Sequence, residues 1–158
     1  MDWSGWAIFG FGATIALTSI MATAQMAGWS RMDVPMMLGT MFVGDPDRAR
    51  LIGFVVHVAN GYMFALLYAA AFAALDNAVW WLGALFGAFH GAAVLTIVMP
   101  VMPAAHPRMA SERTGTALDH TLEPPGLLGL NYGTRVPAIT LLAHIIYGAL
   151  LGIFLQPS

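Results

Sequence analysis

Leu51 to Leu75 reads LIGFVVHVANGYMFALLYAAAFAAL, a run without one charged residue. A helix rises about 1.5 Å per residue, so roughly 20 such residues cross a hydrocarbon layer about 30 Å thick. This stretch therefore predicts a transmembrane helix. Working outward, 6–28, 78–100 and 137–156 meet the same requirement. With 59% hydrophobic and only 9% charged residues, the chain carries more apolar surface than a soluble core could bury. The expected fold is all-α, an integral membrane four-helix bundle forming a single transmembrane domain over residues 1–158.

The first of these stretches imitates a secretory signal, with Ala22-Thr23-Ala24 placed like a cleavage site. Its leader, Met1-Asp2-Trp3-Ser4-Gly5, is acidic rather than basic. Thr14, Thr18 and Gln25 also share one helical face, as residues facing a bundle would. It is read as a retained helix.

All six basic residues are arginines, and they fall in two segments, Arg31 to Arg50 and Arg108 to Arg135. Because cytoplasmic loops carry the excess of basic residues, both segments are expected in the cytoplasm. Both termini and the Asp76-Asn77 turn then lie outside, in the periplasm if the membrane is a bacterial inner membrane. The split of basic charge gives no continuous surface for nucleic acid. The absence of cysteine rules out disulfides, thiolate metal sites and iron–sulfur clusters.

An internal duplication is the second organising feature. Gly12 to Met21 resembles Gly91 to Met99 with one deletion. The following loops share acid-x-Pro-x-x-Leu-Gly, at Asp33–Gly39 and Glu123–Gly129. Each is followed by an arginine, Arg50 or Arg135, and then by His-x-x-(Asn/Tyr)-Gly, at His57–Gly61 and His144–Gly148. The expected organisation is two tandem helical hairpins, 1–77 and 78–158, related by an axis along the membrane normal. The loop runs Val34–Val43 and Pro124–Tyr132 are too short to span and are expected as interfacial or re-entrant segments started by proline. Asp33 would cap the first, with Glu123 placed similarly.

Ionisable groups inside a membrane are costly and mark functional sites by default. Counted inward from the expected cytoplasmic ends, His57 and His144 lie about 9–11 Å deep and His90 about 15 Å. The glycines Gly83, Gly87 and Gly91 run beside His90 and favour close helix approach. Imidazole is the commonest protein metal ligand. A site of His57, His144 and His90, with Asp33 and Glu123 reaching in from the loops, would offer nitrogen and oxygen donors suited to Fe, Zn or Mn. Asn60 and Tyr147, one turn from the histidines, would orient the rings.

Several alternatives compete with this site. The histidines could be bundle glue, with no cofactor bound. Alternatively, His57 and His144 could be axial ligands of a b-type haem, with Gly53, Gly61 and Gly148 making room. A softer set, Met99, Met102, His106 and Met109, would suit Cu(I), although three prolines there are expected mainly to end the third helix and His106 and His120 to be solvated. A small-solute or proton-linked transporter acting as a homo-oligomer, or an accessory subunit of a larger membrane complex, would also fit the polar stripes and glycine-rich helices. The diagnostic Glu-x-x-His and His-Glu-x-x-His patterns and a Gly-x-Ser-x-Gly nucleophile motif are missing.

The repeated acid-x-Pro-x-x-Leu-Gly, His106-Pro107-Arg108-Met109, Pro124-Pro125-Gly126 with Asn131-Tyr132-Gly133, and His-x-x-Tyr-Gly together resemble small four-span bacterial inner-membrane proteins. The resemblance covers most of the chain from Gly28 onward. It implies an inner-membrane location and assigns no activity or ligand.

Overall fold

The computed structural model describes residues 3–110 and 122–155. In chain order, α1 (Trp3–Met26) leads through a loop holding α2 (Val34–Gly39) into α3 (Pro46–Ala74). The second half runs through α4 (Trp80–Ala93), a π-helical turn (Val94–Val98) and α5 (Met99–Ala105) as one rod, then a 3-10 turn (Leu127–Tyr132) and α6 (Val136–Phe154). Four segments are long and apolar enough to cross a membrane: α1, α3, the rod Trp80–Ala105, and α6. Among the described residues the extended pairing is a single isolated bridge, between Met109 and Leu122.

Local chemistry sets the ends of these helices. α1 stops in a Schellman turn: Gly28 takes φ +72°, its N–H reaches Gln25 O, and Trp29 N–H reaches Ala24 O. α3 ends in the same motif, with Asp76 at φ 48° and Asn77 N–H on Phe72 O. Asp33 caps α2 as expected, accepting from Met36 N–H at 2.9 Å. α3 starts well before Leu51, because Asp45 accepts from Arg48 N–H and Pro46 occupies the first turn. The apolar run alone hid that cap and the polar turn it begins.

The third span also departs from expectation. It does not end at Pro100 but continues through Pro100 and Pro103 to Ala105, where His106 N–H meets Met102 O. A proline lacks an N–H and its ring crowds the carbonyl four residues back. The wider π turn just before Pro100 relieves that conflict, so the rod carries on.

Glycines bring backbones together at two helix pairs. A Cβ on Gly53 would stand 1.7 Å from Pro35 O, so α2 lies directly against α3. A Cβ on Gly83 would meet Gly148 O at 2.0 Å and one on Gly87 would meet His144 O at 2.1 Å, which clamps α4 to α6. α6 also packs on α1, and α1 on α3. α3 meets α4 through long side chains instead: Phe72 stacks on Phe86, and Phe64 lies on the His90 ring. Tyr68, Phe72, Tyr147 and Leu151 form the buried middle. Outside, Ile8, Leu51, Leu67, Phe89 and Ile97 are exposed, an apolar coat that water would not tolerate and hydrocarbon would.

Candidate functional site

His57 on α3, His90 on α4 and His144 on α6 all line one cavity of about 180 Å³. The His90 and His144 rings lie edge to face, with centroids 4.7 Å apart. His144 Nδ1 is 2.7 Å from Thr140 O. A carbonyl can only accept, so Nδ1 carries the proton and a neutral ring leaves its Nε2 lone pair available. His90 Nδ1 is 3.5 Å from the Tyr68 hydroxyl. Two buried side-chain atoms among the described residues have no hydrogen-bond partner, His57 Nε2 and Thr140 Oγ1. Both residues line this same cavity.

The remaining expected ligands are distributed elsewhere. Asp33 caps α2 with one carboxylate oxygen and pairs with Arg50 Nε at 3.0 Å with the other, outside the cavity. Glu123 does not cap the second loop segment. It pairs with Arg31 at 3.2 Å, with both side chains largely exposed, while the 3-10 turn begins at Gly126 without a side-chain cap. Among the described residues, no three of His, Asp and Glu converge closely enough to hold a metal ion by themselves. Asn60 lines the cavity, and the Tyr147 hydroxyl donates to Gly61 O at 2.6 Å rather than to an imidazole. The glycines expected to make room for a macrocycle are filled: Gly53 by Pro35, Gly61 by Thr14, Gly148 by Gly83.

His106 is buried, not solvated. Its Nδ1 accepts from Arg108 N–H at 3.1 Å, which places the proton on Nε2, and Nε2–H donates to Met37 O at 2.9 Å. Arg108 Nη1 donates to Thr40 O at 2.8 Å. The two side chains thus satisfy carbonyls left open at the end of α2. Burial is the largest influence and, with a smaller push from the nearby Arg108, outweighs the hydrogen bond to Met37 and keeps the His106 pKa below its ordinary value. Arg31 joins the loops elsewhere, bonding Asn131 O and Glu123. Burial, reinforced by Glu123, pushes the neighbouring Tyr132 phenol up to about 12. Both arginine-bearing loops therefore meet at one end of the bundle. His120 lies outside the described residues.

Met99 and Met102 do face the histidines, lining the cavity from α5, whereas Met109 packs in the buried core. Sequence reasoning missed Met21, Met32 and Met37 on the same wall. Met21 had a signal, since it shares the face of Thr14, Thr18 and Gln25. Met32 and Met37 had none, because loop packing brings them in.

Two clefts adjoin the cavity. One, of about 340 Å³, is lined by Thr18, Gln25, Asp33 and Arg50 and shares His57, Met21 and Met32 with it. The other, of about 400 Å³, lies between α3 and α4 and shares Phe64, His90, Val94 and Val98 with it. Its remaining wall is mostly apolar and includes the exposed Leu67 and Phe89.

The architecture defines a class, multi-pass helical membrane proteins with a histidine-lined interior cavity. Compared with protein families, curated proteins and solved structures, the chain finds no match in any of the three.

Proposed function

We propose that this chain binds a metal ion inside the membrane, in the cavity shared by His57, His144 and His90. One observation carries the reading: the two buried polar atoms without partners, His57 Nε2 and Thr140 Oγ1, both belong to residues on this wall. Buried polar groups are nearly always satisfied, so such a pair calls for a polar occupant. His144 supports it, because an N–H fixed on a backbone carbonyl is how proteins commonly aim a ligating imidazole. Asp33 and Glu123 stand in ion pairs away from this wall, so the reading leans on nitrogen to hold Fe, Zn or Mn. A haem is disfavoured by the filled glycines.

Elemental mass spectrometry of tag-free protein, purified in mild detergent without chelator, tests this. The expected result is about one metal per chain, lost when His57→Ala and His144→Ala are combined. Protein that stays empty after Fe, Zn, Mn and Cu are each supplied would sink the reading.

The adjoining clefts favour a second reading, passage of a small solute between the Arg50 end and the bilayer. It predicts flux in liposomes that persists after chelation. We also propose that the arginine loops face the cytoplasm of a bacterial inner membrane. The two hairpins are proposed to be duplicates, supported by both His-x-x-(Asn/Tyr)-Gly motifs standing on one cavity. The equivalent pairings between the hairpins differ, since α6 packs on α1 while α3 reaches α4 only through side chains and leaves the lateral cleft.

A further inference from the structure

Eleven methionines occur in the chain, and Met21, Met32, Met37, Met99 and Met102 all line the cavity that holds the three histidines. They come from α1, the first loop, α2 and α5, so no single amphipathic stripe accounts for their meeting. Methionine is a common filler of apolar cores. Filler alone gives no reason for thioethers to gather where two polar side chains are left without partners. Among the described residues, the wall also holds no carboxylate. A divalent ion there would leave two positive charges uncompensated in a low-dielectric interior, and a monovalent ion only one. The donors described there are therefore neutral, and the five thioethers among them are soft. Thioethers favour Cu(I), and imidazole accepts copper equally well.

We infer that the cavity is a Cu(I) site, with thioethers of this methionine set completing a coordination sphere that the histidines begin. The inference rests on the metal reading above and narrows the ion. It also accounts for a cavity whose histidines, with the described carboxylates, form no ligand cluster by themselves. Met21 and Met32 stand on the wall of both the polar cleft and the cavity, so an ion moving inward from the Arg50 end meets thioethers before it meets His90 or His144. Copper stays in the +1 state throughout and no group is oxidised or reduced.

The test is an anaerobic competition titration of the detergent-purified chain with a Cu(I)-specific chelator, run beside direct titrations with Zn(II), Fe(II) and Mn(II). Selenomethionine-labelled protein loaded with Cu(I) is then measured by X-ray absorption at the selenium edge. We expect one Cu(I) per chain and copper in the selenium shell. Met32→Leu combined with Met99→Leu keeps the core volume nearly constant and should weaken Cu(I) binding at least about tenfold, as even outer-shell changes at metal sites do. If that variant fails to fold, the selenium spectrum of the unaltered sequence decides alone. Copper bound without a selenium neighbour, or a cavity that takes Zn, Fe or Mn and rejects Cu(I), would overturn this inference and leave the metal reading standing. A chain that takes none of the four overturns both.

Discussion

His106 shows how one side chain can tie two loops together. Its Nε2–H and the Arg108 guanidinium serve Met37 O and Thr40 O at the end of α2. Removing the ring leaves a buried carbonyl short of a donor, so His106→Ala should cost about 1–3 kcal/mol of stability. The pH dependence follows from the depressed pKa. The unfolded chain titrates near 6.5 and the folded ring lower, so in that range the unfolded state binds more protons and stability rises with pH. The contribution is fully present above the ordinary histidine range and declines as pH falls below it. Thermal unfolding in detergent between pH 5 and 8 should show that slope, and His106→Gln, which keeps a donor but cannot titrate, should make it shallower by the share of one histidine. An unchanged slope in the Gln variant would assign the pH effect to another group.

Among elements, the decisive contacts are those where backbones touch. α2 rests on α3 because Gly53 leaves space for Pro35 O. Gly53→Ala must push the loop helix away or unseat it, with an expected loss of about 1–3 kcal/mol or more. Gly12→Ala, in α1 where nothing lies within 4 Å, should change stability by no more than about 1 kcal/mol. A matched thermal series that failed to separate the two would contradict this packing. The Arg31–Glu123 pair is a weaker link, since both side chains are largely exposed. Glu123→Gln should shift stability by about 1 kcal/mol at most.

Across the whole molecule, four spans put both arginine-bearing loops at one end and the Asp76-Asn77 turn at the other. Because the chain has no cysteine, single cysteines at Gly44 and Asn77 report topology on a clean background. In intact cells, a membrane-impermeant maleimide added outside should label Asn77→Cys and spare Gly44→Cys. Labelling of Gly44→Cys alone would invert the proposed orientation, and labelling of both would contradict four crossings.

Much of this arrangement was legible from residues. The uncharged run Leu51 to Leu75 and its three counterparts identified the spans, because crossing hydrocarbon demands a length and polarity that any sequence displays openly. His57, His90 and His144 stood out for the same reason, since polar groups are conspicuous where every neighbour is apolar. Asp33 as a cap was readable because capping is local, set by residues three apart. Contacts between segments distant in the chain were not readable. The sequence could not show that Asp33 would be taken by Arg50 and Glu123 by Arg31, that His106 would turn onto α2, or that the third span would pass its prolines on a π turn. Methionine in an apolar sequence carries no local signal, so only tertiary packing decided that five of them would share a wall with three histidines.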